Sequence, residues 1–177
     1  RLNLRYELRR IQRDTGTTTI YVTHDQEEAM SVSDHVAVMH QGRIEQVGPP
    51  DEVYKRPSTP FVADFIGTST AVRVEEVEPT TGIVTWRDNR LRVRPYRSTG
   101  SARLLVIRPE NLSLITTNRG ATTVEGGNRM VGVVSGIVFL GAAYRCAVDV
   151  GGHRFLVDVP EAGMEQVRYG ETAVLTF

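Results

Sequence analysis

The feature that most constrains this chain is a change of pattern at Gly67-Thr68-Ser69-Thr70. Before it, helical and extended periodicities alternate. Leu4, Leu8 and Ile11 share one helix face, and Gly16 stands where a helix would stop. Residues 17–23 are a β-branched run with few charges, which predicts a strand buried on both faces, as in a parallel sheet. A short helix is expected over residues 27–32 and an apolar strand over 36–39. Gln41-Gly42 marks a turn, and residues 43–47 alternate as an edge strand does. Pro49-Pro50-Asp51 opens one short helix and Pro60 another, over 60–66. After the break, helical periodicity disappears. Strands are expected at 71–77, 83–86, 91–93, 103–107, 131–139, 144–150, 154–159 and 172–177. A polar, glycine-rich loop is expected at 116–128, and Gly151-Gly152 suits a two-residue hairpin turn. Many short strands with glycine turns predict a small barrel. The chain thus divides into an α/β region, residues 1–67, and an all-β region, residues 68–177.

The first region supplies two buried strands and a hairpin, too little for a doubly wound sheet with its own core. It reads as the end of a larger α/β domain, so the expectation is a chain shortened by design or by cleavage. With 177 residues, 40% of them hydrophobic, there is enough material for one compact domain or two small ones. The formal net charge of zero offers no support for a nucleic-acid binder or a polybasic anchor. Cys146 is the only cysteine, so no disulfide can form within one chain, and a reducing compartment is favoured. The first residues lack the apolar core of a signal peptide. No apolar run approaches the roughly 20 residues of a spanning helix. A soluble protein is expected, with any membrane role coming through partners. Lys55 is the only lysine and has no glycine before it, so a phosphate cradle of the Gly-Lys-Ser/Thr kind is excluded.

The residues with most chemistry are Thr23-His24-Asp25-Gln26-Glu27-Glu28-Ala29-Met30. Asp25 suits a helix N-cap, and Glu28, three residues on, completes a capping-box pattern. His24 would then lie beyond a strand end beside a helix start, where open α/β sheets bind phosphates. A neutral imidazole there can donate to a phosphate oxygen or hold an attacking water. On local physics alone, the alternative is a structural histidine with Asp25 and Glu28 serving only as caps.

Residues 19–30, Thr-Ile-Tyr-Val-Thr-His-Asp-Gln-Glu-Glu-Ala-Met, resemble the switch region of ABC importer ATPases. Asp34, Gly42-Arg43-Ile44, Gln46-Val47-Gly48, Pro50, Tyr54, Pro57 and Phe61-Val62-Ala63-Asp64-Phe65-Ile66-Gly67 continue that family's pattern in order. The similarity is to the subgroup handling sugars, polyamines and ferric iron. It implies that His24 is a catalytic residue that contacts the γ-phosphate of ATP and helps organise the hydrolytic water. It implies ATP and Mg²⁺ as cofactors of the full-length protein, with none expected in this piece. The family's signature motif, Walker B glutamate and D-loop would all precede Arg1, so the chain alone is expected to be inactive. The implied partners are a second copy of itself, transmembrane permease subunits and a solute-binding protein, without nucleic acid. The implied location is the inner face of the cell membrane, on the cytoplasmic side.

The second region resembles the TOBE module that follows the ATPase domain in the same subgroup, an OB-like barrel that helps dimerisation and can carry regulation. Ile107-Arg108-Pro109-Glu110-Asn111-Leu112, then Gly132-Val133-Val134, Phe139-Leu140-Gly141 and the strand ending at Gly151-Gly152 carry the similarity. Arg108 and Glu110 are candidate regulatory residues. The alternative is that they pair around Pro109 and fix a turn. Two other readings of the chain stand beside the importer ATPase. One is a stand-alone regulatory or small-solute-binding TOBE module. The other is an OB-type binder of single strands, suggested by Trp86 among Arg87, Arg90, Arg92 and Arg94 but opposed by the balancing acids. His35, His40 and His153 are scattered, so no metal-ligand spacing is present. No Ser-His-Asp arrangement or carboxylate pair is supported.

Overall fold

A computed structural model describes residues 2–78, 80–93, 104–116 and 127–177. Arg94, Arg103 and residues 117–126 of the expected loop lie outside these. The chain divides into two compact units, Arg1–Thr68 and Ser69–Phe177, each described by itself.

In the first unit, α1 (Leu2–Thr15) runs to Gly16, whose φ of 64° and N–H to the Gln12 carbonyl (3.0 Å) end the helix. Helix α2 (Gln26–Val32) follows. Strands β1 (Val36–His40) and β2 (Arg43–Gly48) form an antiparallel hairpin with Val36 opposite Gly48. Gln41 and Gly42 turn it, with φ of 49° and 74°. Helix α3 (Pro50–Lys55) starts at a proline. So does α4 (Pro60–Phe65), where the Thr59 hydroxyl also accepts from the Val62 N–H at 3.2 Å. Val36 and Val38 from β1 meet Val53, Val62 and Ile66, and this small cluster is the unit's core.

One expectation fails here. Residues 17–23 form no strand, and Ile20 and Val22 are 91% and 90% exposed. A β-branched run becomes a buried strand only if neighbours complete its ladder and cover its faces. Among the described residues nothing pairs with it, so the parallel sheet is not formed. The apolar stripe of α1 is also outward, with Leu4, Leu8 and Ile11 all exposed.

The second unit is mostly β. Strands β3 (Thr70–Arg73) and β7 (Leu104–Ile107) pair antiparallel, and β4 (Glu76–Glu78), β5 (Ile83–Trp86) and β6 (Asn89–Arg92) form a meander. The single strand expected over 71–77 is therefore two. A 3₁₀ turn, Pro109–Asn111, leads into β8 (Ser113–Thr116), which the sequence reading missed. Strands β9 (Arg129–Phe139), β10 (Ala143–Val150), β11 (His153–Pro160) and β12 (Thr172–Thr176) join β8 in an antiparallel sheet of order β11-β10-β9-β12-β8. Gly151 and Gly152, at φ of 57° and 81°, make the expected β10–β11 turn. Burial alternates along β9, β10 and β11, so one sheet face is the core wall. Phe155, Met130, Leu175, Val134 and Val148 are fully buried there. A five-stranded antiparallel sheet closing over smaller ladders fits an OB-like fold.

Candidate functional site

Asp25 caps α2 as the sequence predicts. Its backbone is extended (φ −86°, ψ 109°), and its carboxylate accepts from the Glu28 N–H at 3.1 Å. The reciprocal half of the capping box is replaced. The Asp25 N–H donates to the Thr23 hydroxyl oxygen at 2.9 Å, and that hydroxyl donates to the Glu28 carboxylate at 3.0 Å. The Tyr21 hydroxyl donates to the same Glu28 oxygen at 3.0 Å. Glu28 therefore ties the extended segment to the helix instead of closing on its own cap. This hydrogen bond, with the nearby carboxylate charge, raises the Tyr21 phenol above its ordinary pKa.

His24 stands on the bend between these two anchored pieces. It is exposed, and among the described residues it makes no hydrogen bond or ion pair. Its imidazole can therefore donate to or accept from something outside the unit. Among the described residues no strand end forms the expected crevice, because residues 17–23 pair with none of the described strands.

Sequence reasoning missed what holds α2. Two arginines of α1 reach it. The Arg5 guanidinium donates to the Asp25 and Glu27 carboxylates at 3.4 and 3.3 Å, with its side chain only 10% exposed. Arg9 donates to the Val32 carbonyl at 2.7 Å and to the Asp34 carboxylate at 2.9 Å. Gln26 adds a third tie, accepting the Gly67 N–H at 2.9 Å. The available signal was the four-residue spacing of Arg5 and Arg9, which places both on one helix face.

In the second unit, Arg108 is 5% exposed and caps the 3₁₀ turn, its carbonyl accepting the Asn111 N–H at 3.0 Å. Glu110, inside that turn, is exposed. Trp86 is 4% exposed and packs edge-on against Phe155 (5.2 Å between centroids) and His153 (5.9 Å). Its ring is core, which removes the stacking platform of the single-strand reading. Arg87 lies over that ring at 5.3 Å, and Arg90 pairs with Glu78 at 3.3 Å. Among the described residues no group of three His, Cys, Asp or Glu side chains is placed to hold a metal ion. No described helix is long and apolar enough to cross a membrane.

Comparison with known proteins places these features. The family model of the TOBE domain matches residues 105–177. The spermidine/putrescine import ATP-binding protein PotA of Acidothermus cellulolyticus is 41% identical over 152 residues, 82% of this chain and 38% of that protein. The trehalose/maltose import ATP-binding protein MalK of Thermococcus litoralis is 37% identical over 164 residues, 88% of this chain and 44% of that protein. The sulfate/thiosulfate import ATP-binding protein CysA of Brucella melitensis is 39% identical over 163 residues, 90% of this chain and 41% of that protein. This chain therefore spans less than half the length of these curated relatives. Among solved structures, the cytoplasmic molybdate-binding protein ModG aligns with 62% of this chain and 89% of its own at a TM-score of 0.47 and 15% identity, too distant to carry an argument. The chain belongs to the ATP-binding subunits of ABC importers, to their C-terminal part, and it includes their TOBE domain.

Proposed function

We propose that this chain is the last ATPase segment and the TOBE module of an ATPase subunit that energises solute import, with His24 as its contact to the γ-phosphate of ATP in the intact protein. The observation that carries this is His24 itself, an exposed imidazole without partners among the described residues, on a bend anchored on both sides. In the intact protein it would donate to a phosphate oxygen or hold the attacking water. The α/β identity of the first unit is supported by its exposed apolar side chains. Leu4, Leu8, Ile11, Ile20, Val22, Met39, Ile44 and Val47 all face outward, as in a piece of a domain whose other elements would cover them.

The residues of this chain do not make a nucleotide site by themselves. There is no Gly-Lys-Ser/Thr loop in the sequence, and the described residues hold no carboxylate cluster for Mg²⁺. Phosphoryl transfer depends on both. Alone, the chain neither binds ATP tightly nor hydrolyses it. Steady-state hydrolysis by the purified chain, abolished by His24→Ala, would overturn that.

The named cargoes of the relatives are a polyamine, a sugar and an oxyanion, at nearly equal identity of 41%, 37% and 39%. This region thus tracks the energising machinery and not the cargo. A sugar, a polyamine or ferric iron remains the solute class of this reading. The partners are a second copy, permease subunits and a solute-binding protein, with the assembly on the cytoplasmic face of the membrane. A second reading has one specific support: unit 2 owns a continuous core, as a stand-alone solute-binding module needs. Calorimetry of residues 69–177 with sugars, polyamines, oxyanions and iron chelates separates the two. Tight, saturable binding favours the second.

A further inference from the structure

We propose that Arg5 and Arg9 are positioning residues that together clamp α2 and thereby fix His24; this rests on the phosphate-contact reading of His24. Helix α2 has seven residues and none of them is buried, so burial in a core does not locate it. Ala29 and Met30 only lean on the edge of the small core. What remains is mostly polar: Gln26 accepts from the Gly67 N–H, Glu28 accepts from Tyr21 and Thr23, and the ion pairs come from one face of α1. Arg5 grips the entrance of α2 through Asp25 and Glu27, the residues on either side of Gln26. Arg9 grips the exit through the Val32 carbonyl and Asp34. The two arginines are one turn apart, about 6 Å along the axis. Contacts at both ends fix the position of α2 and its rotation, which one contact would not. His24 directly precedes Asp25, the residue that Arg5 holds.

The Arg5 contact has the stronger claim. Its side chain is 10% exposed and its Nε is buried without a partner, so most of its hydration is lost and only the two carboxylates replace it. A planar guanidinium spreads its donors in a fixed fork whose two terminal nitrogens each take one carboxylate, whereas an ammonium concentrates its donors on one freely rotating nitrogen. Lysine at this position would keep the charge and lose half of the geometry.

The test has two arms. Hydrogen exchange on the 177-residue chain compares wild type with Arg5→Gln/Arg9→Gln. Amides of Ala29 to Ser33 are expected to exchange about tenfold faster, with unit 2 unchanged, the scale of losing charge-assisted hydrogen bonds. Unchanged exchange overturns the clamp. If the double variant unfolds α1, Arg5→Lys serves instead, and a rise below about twofold overturns the proposal. In a complete ATP-binding protein carrying this segment, Arg5→Gln is expected to lower kcat about tenfold with KM for ATP within about twofold, and Arg5→Lys to lie between. Wild-type kcat, or a loss residing in KM, overturns the positioning role. His24→Ala is run alongside. If it leaves turnover intact, the reading of His24 fails while the exchange arm still decides the clamp.

Discussion

Asn128 is expected to be the most costly single polar residue to remove from the second unit. It is 8% exposed, and its side-chain amide behaves as an extra peptide bond. Its oxygen accepts from the Arg92 N–H at 2.5 Å, and its nitrogen donates to the Arg92 carbonyl at 2.7 Å. Its own backbone pairs with Phe177 in both directions, at 3.1 and 3.4 Å. Asn128 thus stitches the end of β6 to the chain just beyond β12. Asn128→Ala strips the Arg92 N–H and carbonyl of this partner together. Arg92 is an exposed residue and both hydrogen bonds are part-buried, so water offsets part of the loss and about 1–3 kcal/mol is expected for the pair. Urea unfolding followed by Trp86 emission measures it. Trp86 is the only tryptophan and is packed against Phe155 inside unit 2, so the signal belongs to that unit. With a slope of about 2 kcal/mol per molar urea, the midpoint should fall by about 0.5–1.5 M. Asn128→Asp keeps one acceptor but sets a second oxygen against the Arg92 carbonyl. It should cost as much at neutral pH and recover, relative to wild type, as acid protonates it into a donor. An Asn128→Ala loss within about 0.5 kcal/mol of zero, the range of ordinary surface changes, refutes this account.

Three further outcomes follow from the geometry. A Cβ on Gly132 would overlap the Asp149 carbonyl oxygen and lie 2.8 Å from both Val148 Cγ1 and Val150 Cγ2. Gly132→Ala should therefore lower stability by about 1–3 kcal/mol on the same urea assay, and a neutral result means that β9 and β10 pack more loosely than described. The Tyr21 phenol should titrate above its ordinary range by NMR and move down in Glu28→Gln, since Glu28 is the main cause of its rise. Because the raised value favours the neutral phenol, its stabilising contribution is complete below the unfolded pKa and fades only as alkaline pH passes the folded one; an unmoved Tyr21 in Glu28→Gln refutes the contact. Burial first, and the Asp158 charge second, raise the Cys146 thiol. Its modification by a disulfide reagent at mildly alkaline pH should track Trp86 unfolding, and stoichiometric labelling of the native chain within seconds would contradict its burial.

What was legible in the sequence was whatever local chemistry decides. Prolines at the first position set the starts of α3 and α4. Short apolar runs between glycine turns marked β9, β10 and β11, and the paired glycines 151 and 152 marked the β10–β11 turn. The α2 cap was legible in Asp25, but its closing partner was not. Whether Glu28 bonds Asp25 or Thr23 depends on where the preceding segment comes to lie, and spacing does not carry that. Strand β8 was missed because four residues, Ser-Leu-Ile-Thr, hold no period long enough to read. Residues 17–23 show the opposite failure. Their composition states a preference for burial, and the described residues contain nothing that satisfies it. The arginine clamp spans 20 to 25 residues of sequence, so only the fold brings its halves together.

The two units are held by different physics, and the candidate site lies in the one with less core. Unit 2 buries a continuous set of large side chains from most of its strands. Unit 1 buries five hydrophobic side chains in its cluster, all within residues 36–66. Before β1 only Ala29 and Met30 lean on that cluster, and among the described residues the segment around His24 is located mainly by hydrogen bonds and ion pairs. Such contacts fix geometry well but yield individually, because water and salt compete for them. Elements that must shift between states come from this low-stability end of a structure, not from its core. A residue meant to meet a phosphate in one state and leave it in another gains from that placement. On the proposed reading, the exposed bend at His24 has little core beneath it, only Ala29 and Met30 of α2 touching the small cluster. Its accuracy comes from Arg5, Arg9 and Glu28, which restore by directed polar contacts what burial does not supply.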